Sequence, residues 1–150
     1  MKAIVAVDLK WGIGKNNDLL FAIPEDMKFF REKTSGKVVC MGYNTLLSFP
    51  NSKPLKNRTN IVLAPEGVER DDCTIVHSLD ELFATLKNYN DEEIFVIGGA
   101  MFYRTMVDYC SEVFVTKIAN TSIMHIITKQ TKPFVSDASP NMCAFVADFK

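Results

Sequence analysis

Residues 93–106 read "EIFVIGGAMFYRTM" and hold the clearest evidence about the fold. An apolar, β-branched run ends at two consecutive glycines, and a segment with helical spacing follows at once. The pattern predicts a buried strand, a sharp turn at Gly98–Gly99 and a helix that returns over the sheet. This succession is typical of an α/β domain with a largely parallel sheet.

The same alternation continues on both sides of this stretch. Strands are predicted at "AIVAVD", "KVVCM", "TNIVL", "CTIV" and "EVFVTKI", and helices at Pro24–Thr34, "NTLLSF", "SLDELFATLK" and "MFYRTMVDYC". Asn44 and Ser78 are predicted to cap two of these helices. Towards the end, "SIMHIIT" and "MCAFVADF" predict a closing antiparallel hairpin with a long connection. We therefore expect one α/β domain over residues 1–150, with a mostly parallel sheet of about eight strands and about four helices.

Composition excludes several classes of protein. The chain is 47% hydrophobic with a net charge of −1, and its charges are interspersed, so we expect no nucleic-acid partner and no membrane partner. No targeting segment is recognisable, which makes the cytoplasm the expected location. The cysteines lack the spacing of a zinc or redox motif, so we expect free thiols and no metal at Cys40, Cys73, Cys110 and Cys143.

An acid stands in an apolar setting in "FAIPEDMKFF", residues 21–30. On a helix that begins at Pro24, Met27 and Phe30 share one face, and Asp26 shares or borders that face. One explanation is that acids are favoured in the first turn of any helix, where they meet the positive end of the dipole. The other is that Asp26 is a partly buried acid with a chemical role. This fragment alone leaves both open.

Two glycine-bearing turns follow predicted strands, in "VIGGAMFY" and "VCMGYNT". Ligands of open α/β sheets bind at the carboxyl ends of strands, so these turns are candidate anion sites at one sheet edge. A tight structural turn is the alternative reading of each. Neither matches the G-x-G-x-x-G fingerprint, and "GIGK" lacks the spacing of a phosphate-binding loop.

Five segments together resemble dihydrofolate reductase in order and spacing. They are "IVAVD…GIGKNNDLLFAIPEDMKFF", "VVCMGYNT", "PLKNRTNIVL", "IFVIGGAMFY" and "VFVTKI", and the resemblance covers about residues 1–118. It implies the fold of the small bacterial enzymes, reduction of 7,8-dihydrofolate to tetrahydrofolate, and NADPH as cofactor. We expect a monomer, because nothing in the sequence suggests a large exposed apolar face.

The resemblance also implies roles for particular residues. Asp26 would bind the pteridine and promote its protonation, with Thr116 relaying a hydrogen bond to it. Desolvation would raise the pKa of such an acid towards neutrality and suit it to proton transfer. Arg58 would bind the glutamate carboxylate of the substrate, because a planar fork suits that partner. The remaining substrate positions are Val5, Met27, Phe30, Phe49, Leu55 and Ile97.

The resemblance also implies the cofactor positions, most of which lie around the two glycine turns. They are Ala6, Ile13, Gly42, Tyr43, Asn44, Thr45, Gly98, Gly99, Ala100, Met101, Phe102 and Tyr103. The peptide between Gly98 and Gly99 would be cis, a rare feature outside working sites. For Phe102 and Tyr103, plain packing in the core is the alternative.

The chain departs from the family pattern in four places. Tyr43 and Ala64–Pro65 stand where many relatives carry groups that hold the adenosine 2′-phosphate. Leu20–Phe21 replaces a frequent Pro-Trp pair, and the usual Asp-Thr-x-Phe-Pro segment is missing after Ile118. Two other functions therefore stay open: a pyrimidine reductase of riboflavin synthesis, and a non-catalytic binding or structural protein with the same fold.

Overall fold

The computed structural model describes residues 1–7, 14–15, 18–19, 24–119 and 122–129. Its strands are β1 (Lys2–Val7), β2 (Gly14–Lys15), β3 (Asp18–Leu19), β4 (Val38–Gly42), β5 (Thr59–Leu63), β6 (Thr74–Val76), β7 (Ile94–Val96), β8 (Glu112–Ala119) and β9 (Ser122–Lys129). Its helices are α1 (Pro24–Thr34), α2 (Tyr43–Ser48), α3 (Leu79–Leu86) and α4 (Ala100–Met106). No helix in these ranges is long and apolar enough to cross a membrane.

Seven strands form one sheet in the order β6-β5-β4-β7-β1-β8-β9. All neighbouring pairs are parallel except β8 and β9, which run antiparallel at one edge. Strands β2 and β3 form a separate two-stranded sheet. The predicted architecture, a mostly parallel sheet flanked by about four helices, is confirmed.

The end of the sheet differs in detail from the expectation. The segment "SIMHIIT" forms β9 as predicted, and its partner is the preceding strand β8, with Thr116 opposite His125. Consecutive antiparallel strands need only a tight turn between them, and the sequence pattern did not reveal this shorter hairpin. The other predicted strand, "MCAFVADF", lies outside the described residues.

The sheet separates two apolar layers. On one face, α3 and α4 contribute Leu82, Phe102 and Met106 to an apolar cluster that also contains Ala3 and Val5 of β1. On the other face, α1 and α2 pack through Phe30 and Leu46 against a second set. That set contains Ile4, Val39, Met41, Val62, Phe95, Ile97 and Phe114. Residues on both faces of the central strands are therefore buried, as the continuous apolar runs predicted.

The helix starts show one confirmed cap and one wrong prediction. Ser78 caps α3, and its side chain accepts a hydrogen bond from the backbone N–H of Glu81 at 3.1 Å. Asn44 does not cap α2, because Gly42 is the capping residue and Asn44 lies inside the first turn. The extended backbone of Gly42 leads β4 directly into the helix, so no residue is left between them for a side-chain cap.

Candidate active site

The two predicted glycine turns meet at the carboxyl edge of the sheet. The backbone N–H of Gly42 donates to the carbonyl of Gly98 at 2.9 Å, which joins the end of β4 to the turn after β7. The Gly98–Gly99 peptide is cis, as the resemblance implied. Gly98 has a φ of +127°, and a Cβ there would lie 3.3 Å from the ring of Tyr103. Glycine is therefore required at Gly98 by both backbone conformation and space.

The residues behind this turn are buried. Tyr103 is 4% exposed, and its hydroxyl donates to the carbonyl of Ile4 at 2.6 Å. Phe102 is also buried, so the side chains of both residues pack in the core, which was the alternative reading of these positions. Thr45 lies beside the turn, with its Oγ1 3.4 Å from where a Cβ on Gly99 would stand. Contacts with a bound molecule at Gly98 and Gly99 can come only from backbone groups.

Asp26 lies on the side of α1 that faces the sheet. It is half-buried in the first turn, while Phe29 and Phe30 of the next turn pack against the second apolar layer. Met27 is 56% exposed and contributes nothing to that layer. The sheet-facing side of α1 is therefore formed by Asp26, Phe29, Phe30 and Lys33, whose Nζ lies 5.2 Å from the ring centroid of Phe114.

The strands opposite α1 identify the neighbours of this acid. Ile4 and Phe114 face α1, and since side chains alternate along a strand, Ala6 and Thr116 face the same way one step further. Two residues along a strand, from Ile4 to Ala6, cover about 6.6 Å. The four residues from Phe30 back to Asp26 cover about 6 Å along the helix in the same direction. Thr116 is 1% exposed. Asp26, Ala6 and Thr116 therefore occupy the same end of this interface.

Val5 and Ile97 fall on opposite faces. Ile97 belongs to the layer beneath α1. The side chain of Val5 belongs to the layer beneath α3 and α4. A substrate on the α1 side could contact Val5 only through its backbone, because the β1 side chains that face α1 are those of Ile4 and Ala6. The alternation of side chains along β1 decides whether Ile4 or Val5 faces α1. A continuous apolar run in the sequence does not show which residues face which side of the sheet.

The negative charge of Asp26 affects the pKa of Tyr103, which lies behind the glycine turn. The pKa of the Tyr103 hydroxyl lies far above its ordinary value, first because of burial and next because of the negative charge of Asp26. Tyr103 stands directly behind Gly98. The predicted proton-transfer acid and the predicted cofactor turn are thus within electrostatic reach of each other.

Arg58 is held at the opposite end of α1. Its Nε donates to the carbonyl of Lys56 at 2.8 Å, and its Nη1 donates to Oγ1 of Thr34 at 3.1 Å. Its guanidinium carbon lies 5.9 Å from the ring centroid of Phe30. Partial burial lowers the pKa of Arg58, and the charge of Arg31 lowers it further. An anion that binds here would relieve a desolvated and crowded cation.

Thr34 is a site residue that the sequence analysis missed. It is fully buried, and its hydroxyl donates to the carbonyl of Phe30 at 2.8 Å while accepting from Arg58. A guanidinium has five N–H groups, so the bonds to Lys56 and Thr34 leave donors for a carboxylate. The only signal for Thr34 was its place at the predicted helix end. Phe49 and Leu55 are half-buried against the second apolar layer.

A groove of about 590 Å³ opens beside the glycine turns. Its lining includes predicted cofactor positions and several residues that were not predicted. The lining residues are Tyr43, Asn44, Leu63, Ala64, Pro65, His77, Ser78, Leu79 and Met101. Met101 is 79% exposed. The lining as described contains no lysine or arginine, so it offers an apolar and hydrogen-bonding surface without a fixed positive charge.

His77 is the main residue of the groove that sequence reasoning passed over. Its Nε2 lies 2.9 Å from the carbonyl of Val68, and carboxylates of Glu69 and Glu81 lie 3.4 and 3.8 Å from its ring nitrogens. These groups raise the pKa of His77, the contact with the Val68 carbonyl most of all. No sequence spacing brings Glu69 to His77, because the contact depends on the loop that joins β5 to β6.

The cysteines and one predicted site residue complete the comparison with the sequence. Cys40 and Cys110 are buried free thiols and Cys73 is half-buried, as expected, while Cys143 lies outside the described residues. Burial raises the pKa of Cys110 to about 12. Within the described part of the chain, no three His, Cys, Asp or Glu side chains gather as metal ligands. Ile13 also lies outside the described residues.

Comparison with known proteins identifies the family. The family model described as dihydrofolate reductase matches residues 1–132. The dihydrofolate reductase of Bacillus subtilis is 40% identical over 117 residues, which are 77% of this chain and 67% of that protein. The enzyme of Staphylococcus haemolyticus is 34% identical over 116 residues, 77% of this chain and 68% of that protein.

The chain belongs to the dihydrofolate reductase family. A solved structure of Enterococcus faecalis dihydrofolate reductase, complexed with NADP(H) and RAB-propyl, agrees with the fold. It matches with a TM-score of 0.72 and 29% identity, covering 91% of this chain and 76% of that one. The resemblance drawn from the five sequence segments is confirmed, and so is the oxidoreductase class that it implied.

Proposed function

We propose that this member of the dihydrofolate reductase family catalyses the NADPH-dependent reduction of 7,8-dihydrofolate to 5,6,7,8-tetrahydrofolate. The observation that carries the proposal is the placement of opposite charges at the two ends of α1. Asp26 lies at one end of its sheet-facing side, and Arg58 is bonded to Thr34 at the other end. Eight residues of helix separate these positions by about 12 Å. An elongated substrate with a hydrogen-bonding ring at one end and carboxylates at the other suits this arrangement.

Asp26 is the acid that this mechanism requires. Its carboxylate would accept hydrogen bonds from the amino group and ring nitrogen of the pteridine, and it would promote protonation of the imine. Thr116 would relay a hydrogen bond to the same carboxylate. Ile4, Phe30 and Ile97 would exclude water and contact the flat ring. Met27, Phe49 and Leu55 would line the path towards Arg58, whose fork would bind the substrate's glutamate.

The nicotinamide cofactor supplies the hydride when it is bound, since no side chain can do so. The residues at the carboxyl edge fit such a group: Gly98 and Gly99 present bare backbone, and the groove beside them offers about 590 Å³. Ala6, Ile13, Gly42, Thr45 and Ala100 would line the nicotinamide and diphosphate, with Phe102 and Tyr103 supporting the turn. Tyr43, Asn44 and Met101 would contact the adenosine half.

The proposal is tested by the decay of nicotinamide absorbance with dihydrofolate, comparing the parent with Asp26→Asn. Because general acid catalysis contributes about 10²- to 10⁴-fold, we expect the variant to lose a factor of at least about 100, most clearly above neutral pH. Glu25→Gln is the matched control, because Glu25 is exposed in the same first turn. It should keep the parent's rate.

The same assay separates the alternatives. A folded parent that binds dihydrofolate without turnover would contradict the reductase proposal and favour a binding protein. Turnover of a ribosylated pyrimidine in place of dihydrofolate would favour the riboflavin-pathway activity.

We further propose that the protein is a cytoplasmic monomer of one domain. Sedimentation measures the oligomeric state, and cell fractionation measures the location.

A further inference from the structure

Asn60 is a buried polar residue for which the proposed mechanism has no role. It lies on β5 opposite Val39 and is 6% exposed. Its Oδ1 accepts from the backbone N–H of Leu55 at 3.0 Å, and its Nδ2 donates to the carbonyls of Leu55 and Arg58 at 2.9 and 3.1 Å. Both protons of the amide are thus used within one short segment.

The segment that Asn60 holds is Leu55–Arg58, the tight turn that precedes β5. Asn57 within it has a φ of +59°, a conformation that few residues other than glycine adopt. The carbonyl of Asn57 accepts from the N–H of Gly36, just beyond the end of α1, at 2.7 Å. The turn is therefore fastened at two points: to the end of α1 through Asn57, and to the sheet through Asn60.

Both side chains that this segment contributes to the proposed substrate site depend on the Asn60 contacts. Leu55 has its N–H and its carbonyl bonded to Asn60, and Arg58 has its carbonyl bonded to the same side chain. The guanidinium of Arg58 is then fixed by Thr34 and the carbonyl of Lys56. An arginine whose backbone and guanidinium group are both held by hydrogen bonds loses little conformational freedom when it binds a carboxylate.

We propose that Asn60 is a positioning residue for recognition of the substrate's carboxylate tail, an inference that rests on the proposed function. The side chain does not touch the substrate. It fixes the backbone from which Arg58 and Leu55 reach it. Loss of the amide would leave two Leu55 backbone groups and the Arg58 carbonyl without their partner, and the turn would shift to regain water.

The experiment compares Asn60→Ala with the parent on two substrates, 7,8-dihydrofolate and the tail-less 6-methyl-7,8-dihydropterin. We expect the KM for dihydrofolate to rise roughly tenfold, the loss that displacement of one charged hydrogen bond produces. The KM for the dihydropterin and that for NADPH should stay within about twofold of the parent, since neither contacts this turn. Titration calorimetry of both pterin ligands supplies the same comparison without turnover.

Two further variants separate a positioning role of Asn60 from a general loss of stability. Asn60→Ser keeps one short polar group and serves if Asn60→Ala does not fold. Asn90→Ala is the control for losing an asparagine that bonds backbone, because Asn90 accepts from the N–H of Glu92 at 3.1 Å before β7, two strands away from β5. The free energy of unfolding is measured for every variant, and Asn90→Ala should leave the ratio of the two substrates unchanged.

Equal losses on dihydrofolate and dihydropterin, or no loss on either, would overturn the inference. Arg58→Ala, measured in parallel, separates this failure from failure of the proposed function. If Arg58→Ala weakens dihydrofolate alone and the Asn60 variants do not, only the positioning role is wrong. If Arg58→Ala fails to distinguish the two substrates, the proposed tail site itself is wrong.

Discussion

The turn that carries Arg58 and the groove beside Gly98 are built in contrasting ways. At the turn, a half-buried cation is held by Thr34 and by backbone that Asn60 fixes. In the groove, the ionisable lining residues are Tyr43 and His77, and two carboxylates lie against His77. The first region has the charge and the fixed direction that suit a carboxylate. The second offers shape and apolar surface, so its selection among adenine nucleotides should depend little on charge.

Removal of the cation should produce the largest effect. Arg58→Ala is expected to weaken binding of dihydrofolate about 100-fold, because truncating one member of a partly buried charge pair typically costs about 3 kcal/mol. Equilibrium titration of the folded variant measures this. The matched control is Arg31→Ala, since Arg31 is exposed on α1 and its charge reaches Arg58. A comparable loss in the control would show that general positive charge, and not the fixed fork, binds the tail.

Addition of a cation to the groove should make its selection of ligands depend on charge, as we expect for the turn that carries Arg58. Tyr43→Arg is expected to raise the preference for NADPH over NADH about tenfold, the value of one charge-assisted hydrogen bond. The ratio of kcat/KM for the two cofactors measures this, together with the dissociation constants of 2′-phospho-ADP-ribose and ADP-ribose. Tyr43→Phe should leave the ratio unchanged. A parent that already rejects NADH strongly would break the comparison between the two regions.

Arg70 joins the loop between β5 and β6 to the segment that precedes the Leu55–Arg58 turn, and its removal should have a smaller effect. Its guanidinium donates to both carboxylate oxygens of Asp72 and, at 2.7 Å, to the carbonyl of Ser52 in the turn after Phe49. Arg70→Ala should raise the KM for dihydrofolate about threefold by loosening that turn, as expected for one partly exposed bond. Asp72→Asn, which keeps the Ser52 contact possible, should change the KM less. An equal change in both variants would assign the effect to the ion pair alone.

The smallest expected effect is on stability and concerns His77. Its pKa in the folded protein lies above the ordinary value of 6.5, chiefly through the Val68 carbonyl and then through Glu69 and Glu81. A raised folded pKa stabilises the folded state fully below about pH 6.5, and this contribution is lost as the pH rises through the folded pKa. The Tm of His77→Gln should therefore fall furthest below that of the parent near about pH 5.5. A difference that does not change with pH would contradict this assignment.

Much of the fold followed from local pattern. The bounds of α1 agree with the prediction at both ends, and Gly36, with a φ of +74°, follows it as the stop signal required. The Ser78 cap was also predictable, since capping involves residues three apart in sequence. The Asn44 cap was wrong, because the exact junction between β4 and α2 depends on the bond from Gly42 to Gly98, in the turn that follows β7.

The candidate site divides in the same way. Asp26 and the two glycines were candidates from their residue types and positions, and Arg58 was a candidate from the family resemblance. Thr34, Asn60 and His77 could not be named in either way, since each acts through contacts that only folding creates. The sequence by itself determined which chemical groups this protein carries and the order of its strands and helices, because these depend on neighbouring residues. The tertiary structure decided which side of β1 faces Asp26, what fixes Arg58 and what surrounds His77, because packing and hydrogen bonds join residues far apart in the chain.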